Sequence, residues 1–197
     1  FFLIVKENMF MKPMKERTKY MFADAILDII TKKDLSKIRI KDLCEYCGTD
    51  RQTFYYHFKD KYDLVAWIYE NDLKFSFASY SNQFSKEQTK HLLHLIKEKH
   101  YFYRKCFEDM NQNSLFSYMR KANCRVTEDI IKHTYQLSEL SDKQLYTINY
   151  HSYAWVCCLS EWLANKCIPE PEIFVNYIYD NSVIQYERDP FHAKENI

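Results

Sequence analysis

Six of the seven residues from 51 to 57 carry a side-chain hydrogen-bond donor: Arg51, Gln52, Thr53, Tyr55, Tyr56 and His57. The exception is Phe54, and Phe58 follows it four residues later. That spacing puts both rings on one face of a helix and turns the donors outward. A short helix of this kind offers a row of donors to an accepting surface, which is the chemistry of contact with a polyanion or with the edges of stacked bases.

Such a row is useful only if the chain holds it rigidly outward. The only glycine in the chain, Gly48, stands just before it. A sequence that needs glycine nowhere else has little use for left-handed backbone, so this position is expected to require positive φ as the C′ residue of a preceding helix. Asp50 is placed to accept backbone N–H groups as N-cap of the next helix. The two signals predict a helix-turn-helix, with a first helix opening near Lys41 and a second over residues 51–57.

Other reactive spacings are weaker. Cys44-x-x-Cys47 has the separation of a metal or redox pair, but no second Cys or His pair follows at zinc-site distance, and packing is the better reading. Cys157 and Cys158 fall in an apolar helix and read as packing residues. His91 and His94 share a helix face, which reads as a solvated polar face in the absence of a third ligand. No Ser-His-Asp or Cys-His set can be picked from one chain, because such groups converge in space. Loops of the G-x-x-x-x-G-K-[ST], G-x-G-x-x-G and G-x-S-x-G types cannot be written with one glycine. No catalytic residue, cofactor or metal is therefore expected.

Hydrophobic residues make up 47% and aromatics 17% of the 197 residues, which suits a globular chain with a sizeable core. No apolar run approaches the roughly 20 residues that span a bilayer. The opening Phe-Phe-Leu-Ile-Val is too short for a signal sequence core, so a soluble cytoplasmic protein with no membrane partner is expected. Seven cysteines at irregular spacing argue for reduced thiols. The formal net charge is only +1, yet residues 11–61 hold 12 Lys and Arg against 8 Asp and Glu, while residues 62–197 hold 15 against 18. A basic head and a mildly acidic body point to a polyanion partner for the head.

Helical spacing runs nearly throughout, with no sustained strand alternation, so the fold class is all-α. Met21, Phe22, Ala25, Ile26, Ile29 and Ile30 form one stripe of a first helix over about 15–33. Asp60 caps a long helix from Lys61. Capping boxes Ser85-x-x-Gln88 and Ser141-x-x-Gln144 open two more, another helix spans about 114–137, and Pro171 suits the first position of a last helix to about 186. The expected organisation is an extension over 1–14, a helix-turn-helix domain over 15–60 and a regulatory and dimerisation body over 61–197. Residues 153–159 are apolar almost without interruption, and the helix from Pro171 is apolar around much of its circumference. One face can meet its own core while another meets a second subunit, which predicts a two-fold homodimer through these last two long helices; the alternative is a central core helix of a monomer.

The run from Gly48 to Lys61, with Leu64 beyond, resembles the DNA-binding signature of the TetR/AcrR family of bacterial transcriptional regulators over about residues 15–71. Within that family, residues 51–69 are similar to the subgroup named for DhaS, and Glu161-Trp162-Leu163 resembles that subgroup's C-terminal domain more loosely. The resemblance implies a nine- or ten-helix dimer whose third helix enters the major groove of a palindromic operator in double-stranded DNA. Carried over position by position, Arg51, Gln52 and Tyr56 would face base edges, and Thr53, Tyr55, His57 and Lys61 would contact phosphates, with Arg39 and Lys41 at the start of the second helix. Arg51 suits guanine and Gln52 adenine. Asp50 and Gln52 depart from the serine cap and small residue of many relatives, and an acidic cap repels phosphate.

The implied function is a sequence-specific regulator, a repressor released by a small-molecule effector; the alternative is a DhaS-like activator whose body binds a partner protein. Tyr80, Tyr103, Phe107, Tyr118, Tyr150 and Trp155 are candidate walls of an effector site, although ordinary core packing explains any one of them. A helical enzyme that keeps the head as a relic is a further rival, but it would need clustered perturbed ionisable groups for which the sequence offers no sign.

Overall fold

The computed structural model describes residues 13–77, 86–109, 111 and 114–180. Among these, nine α-helices and no strand are present: α1 (Met14–Ile29), α2 (Ile40–Cys47), α3 (Arg51–His57), α4 (Lys61–Phe77), α5 (Lys86–Glu98), α6 (His100–Glu108), α7 (Leu115–Tyr135), α8 (Asp142–Ala164) and α9 (Pro171–Asp180). A 3-10 turn, Leu35–Lys37, joins α1 to α2. The chain divides into two compact units between Asn71 and Asp72. The division falls inside α4, and the expected boundary lay at its start. The first half of α4 belongs with the head because Trp67 packs edge to face on Tyr20, and the Tyr20 hydroxyl donates to Asn71 Oδ1 at 2.8 Å.

In the first unit, α1 lays its stripe across α2 and α3. Phe22, Ala25, Ile26 and Ile30 are fully buried with Leu43, Phe54, Leu64 and Val65, whereas Met21 and Ile29 of the expected stripe are only partly covered. Fully burying each such side chain is worth about 1.5–3 kcal/mol, enough to hold helices as short as α2 and α3, which alone would be marginal in water.

The second unit is built from α5 to α9 with the last turns of α4. Helices α7 and α8 pack along one another, α6 lies against both, and α9 covers α5. The helix starts follow their caps: Ser114 Oγ accepts from Ser117 N–H, and Ser141 and Gln144 exchange side-chain and backbone bonds at the start of α8. The capping box at Ser85 and the stretch beyond 180 lie outside the described residues, as does nearly all of the 1–14 extension. Trp162 stacks on Phe174 with centroids 4.8 Å apart and rings 4° from parallel, and its indole N–H donates to Pro169 O at 2.7 Å.

Helix α8 resolves the ambiguity of its apolar sequence. Ile148, Ser152, Val156, Leu159 and Leu163 face the core, and Tyr146, Tyr150, Tyr153, Ala154, Cys157 and Cys158 remain exposed. The buried Asp72 carboxylate of α4 takes hydrogen bonds from Lys99 Nζ, between α5 and α6, and from the Tyr103 hydroxyl of α6. No helix among the described residues is long and apolar enough to cross a membrane.

Candidate nucleic-acid interface

The turn between α2 and α3 has the geometry that its residue types demand. Gly48 adopts φ 63° and ψ 35°, its N–H reaches the Glu45 carbonyl, and Thr49 N–H closes on Cys44 O at 3.0 Å. A left-handed residue satisfies the last carbonyls of α2 and redirects the chain. Asp50 Oδ1 then accepts Thr53 N–H at 2.7 Å, which caps α3 and holds the Asp50 carboxyl below its ordinary pKa. Cys44 Sγ–H donates to Asp50 O and Cys47 Sγ–H to Met21 O, and burial pushes both thiols up, Cys47 to about 11. Protonated thiols bonded to backbone oxygens are packing residues. All seven cysteines are free, and the described residues contain no cluster of three or more ligating side chains that could hold a metal.

Under α3, Phe54 and Phe58 close on Phe22 at centroid distances of 5.1 and 6.4 Å, and Phe58 continues to Trp67 at 5.9 Å. This aromatic chain leaves the other face outward. Arg51, Gln52, Tyr55 and Tyr56 are exposed, the last 70% so, and Thr53 and His57 are half-buried. Exposed tyrosines of this size are ready-made contact area with a polar tip.

Arg39 and Lys41 are also exposed at the start of α2. Asp42 organises this corner: its carboxylate accepts Lys33 Nζ at 2.7 Å, Arg39 N–H at 2.9 Å and the Arg39 guanidinium at 3.2 Å. The Lys33 bond, followed by the Arg39 backbone bond, holds the Asp42 carboxyl well below the usual range. Lys41 pairs with Glu45 at 3.3 Å in the open, a contact too weak to compete with a phosphate.

Two expected phosphate donors sit differently. Burial, then the charges of Lys19 and Lys15, lower the His57 pKa, so the ring is neutral near pH 7, and its Nδ1 is buried without a hydrogen-bond partner among the described residues. Lys61 Nζ donates to the carbonyls of Leu35, Ser36 and Ile38 at 2.6, 2.9 and 2.9 Å. The sequence reading missed Lys15, whose ammonium lies 5.2 Å from the centre of the Tyr56 ring and brings the start of α1 beside α3. Its spacing from Lys19, one turn on along α1, was the available signal.

The candidate effector residues differ in exposure. Tyr80 lies outside the described residues. Tyr103 and Phe107 are core residues of α6, Tyr118 and Trp155 are partly covered, and Tyr150 is 64% exposed on the outer face of α8. His94 bonds Glu172 across to α9 at 2.8 Å, and His91 lies against Phe75.

A helix-turn-helix unit with an outward row of donors, followed by an all-helical unit, defines the class of helix-turn-helix transcriptional regulators. The model of bacterial regulatory proteins of the tetR family matches residues 23–68, and that of a transcriptional regulator C-terminal region matches residues 84–182. The chain belongs to the tetR family, whose members act on transcription and are not enzymes. It is similar to the HTH-type dhaKLM operon transcriptional activator DhaS of Lactococcus lactis subsp. lactis (strain IL1403), at 28% identity over 108 residues; the match spans 54% of each protein, so the chain covers about half the length of this relative. Among solved structures it resembles the dihydroxyacetone kinase operon activator DhaS, with TM-score 0.59 and 20% identity over 83% of this chain and 92% of that one. A TetR transcriptional regulator from Rhodococcus sp. RHA1 gives TM-score 0.54 and 13% identity over 84% and 95%. These likenesses establish the fold.

Proposed function

We propose that two copies of this chain bind a palindromic duplex, each through α3 in the major groove. Arg51, Gln52 and Tyr56 read base edges, and Thr53, Tyr55, Arg39 and Lys41 hold the phosphate backbone. The observation that carries this reading is the orientation of α3, which buries Phe54 and Phe58 and exposes its polar residues. His57 adds a neutral donor and no cation. In this reading the first unit, which holds the helix-turn-helix expected over 15–60, binds DNA, and the second unit regulates and dimerises.

The dimer is supported by exposed apolar residues on both helices: Tyr146, Tyr150 and Tyr153 with Cys157 and Cys158 on α8, and Ile173 and Tyr177 on α9. An apolar stripe of that length suits an isologous interface. One head alone would bind weakly, and two heads about one DNA turn apart make a palindrome the natural target.

On the sense of regulation, release of a repressor by a small molecule requires an effector that binds two head spacings with different affinity. The rival is an activator whose body binds a partner protein, and its activating sense, though not the protein partner, takes support from the name of the L. lactis relative. Selection from random duplex DNA, followed by transcription in vitro from a promoter carrying the selected site, tests both levels. Recovery of no enriched palindrome would end the operator reading, and the direction of the transcript change assigns repressor or activator.

A further inference from the structure

We propose that Lys61 is a positioning residue for DNA binding: it braces the segment that aims Arg39 and Lys41 and makes no phosphate contact of its own. This rests on the operator-binding reading above and assigns one of its residues a different role from the one implied by family resemblance.

An ammonium group has three N–H donors. In Lys61 all three meet main-chain carbonyls, those of Leu35, Ser36 and Ile38, at 2.6 to 2.9 Å. A phosphate could recruit this group only by drawing it away from these oxygens; Leu35 O would keep the Ile38 N–H, and the Ser36 and Ile38 carbonyls would need new partners.

The position of Lys61 fits this role. It is the first residue of α4, where the helix dipole disfavours a cation. Asp60 and Asp63 near the same helix start answer the dipole, and the carbonyls that end the 3-10 turn supply the compensating partner for Lys61. The braced segment, residues 35–38, lies 23 to 26 residues before Lys61 in the sequence and ends one residue before Arg39. Arg39 is then the N-cap of α2, with its N–H on Asp42, and Lys41 follows two residues later. Lys33 restrains the same corner through Asp42. The start of α2 and the turn that leads into it are therefore held by bonds from α4 and from the turn after α1, and Lys61 supplies three of them.

A thermodynamic cycle on the full chain separates positioning from contact. Affinity for a selected duplex is measured across a salt series for the wild type, Lys61→Met, the double variant Arg39→Ala/Lys41→Ala, and the triple variant, each checked as folded by circular dichroism at the titration temperature. The expected result is a loss on the order of tenfold for Lys61→Met alone and no further loss, nor any change of salt slope, when it is added to the double variant, because coupled groups are not additive. An additive loss with a further slope decrease of about 0.9 would mean that Lys61 itself neutralises a phosphate and would overturn the proposal. Wild-type affinity in a folded Lys61→Met would overturn it too. Should Lys61→Met not fold, Lys61→Arg decides: it keeps the charge but replaces a compact three-donor point by a planar fork. Weaker binding by Lys61→Arg supports positioning, and unchanged affinity and slope overturn it. A wild-type protein that ignores every duplex would instead remove the operator reading itself.

Discussion

Phe22 of α1 and Phe54 of α3 meet edge to face, with ring centroids 5.1 Å apart and no exposure on either side chain. This contact fastens α3 to α1. Phe54→Ala should cost about 3–5 kcal/mol of stability, the usual range for a phenylalanine removed from a filled core. Urea unfolding followed by far-ultraviolet circular dichroism measures it, and a loss below about 1 kcal/mol would mean that the site collapses around the gap or is less tightly packed than described.

Gly48 isolates a backbone effect. A β-carbon built there meets nothing within 4 Å, so Gly48→Ala introduces no clash and costs only the left-handed conformation at φ 63°, about 1–2 kcal/mol. Gly48→Asn should cost less, because asparagine tolerates that region better. Thermal denaturation of both variants tests the order, and equal stability of all three proteins would contradict the assigned cap.

Asp42 makes the head sensitive to acid. Its pKa is lower in the folded protein than in the unfolded chain, so its stabilising contribution is complete above the unfolded value near 3.9 and is lost as pH falls through the depressed folded value. Asp42→Asn should therefore destabilise the protein at pH 7 and make the two proteins converge on acidification below about pH 4. A difference in unfolding free energy that stays constant from pH 7 to pH 2.5 would show that the lysine and arginine bonds to this carboxylate do not matter.

Base reading and phosphate holding should separate by variant. Gln52→Ala should relax preference at one base pair of the selected site, by about 1–3 kcal/mol of discrimination. Lys41→Ala should weaken all duplexes alike and lower the salt slope by about one unit. Fluorescence anisotropy against the selected site and single-base variants reads both, and uniform losses from both changes would refute this division of roles.

The exposed stripe on α8 predicts its own defect. Tyr150→Glu combined with Tyr177→Glu should shift the protein from dimer to monomer in sedimentation velocity while leaving its helical content unchanged, since both side chains lie outside the core of the single chain. Unaltered sedimentation would move the dimer interface away from α8 and α9.

Much of the helical layout was legible because it is written in local chemistry. Asp50, Asp60 and Ser141 each cap the helix that their residue type announces, and Gly48 takes the one conformation that explains its presence. The donor row of α3 was legible for the same reason, since Phe54 and Phe58 at a separation of four determine which side is buried. In α8 this contrast is missing. Residues 153–159 offer apolar side chains on every side, and nothing in that run says that Val156 turns inward while Tyr153 and Cys157 turn out.

By itself, then, the sequence determined an all-α chain with a helix-turn-helix near its start and an outward polar face on the second helix of that motif, because periodicity, caps and one glycine act over a few residues. Tertiary structure alone decided how each donor is used. It gave the ammonium of Lys61 to three carbonyls more than twenty residues away, surrounded His57 with enough burial and positive charge to keep it neutral, and placed the Tyr103 hydroxyl on a buried carboxylate. Those outcomes depend on which groups distant segments bring within 3 Å of one another, and neither residue type nor spacing along the chain records that.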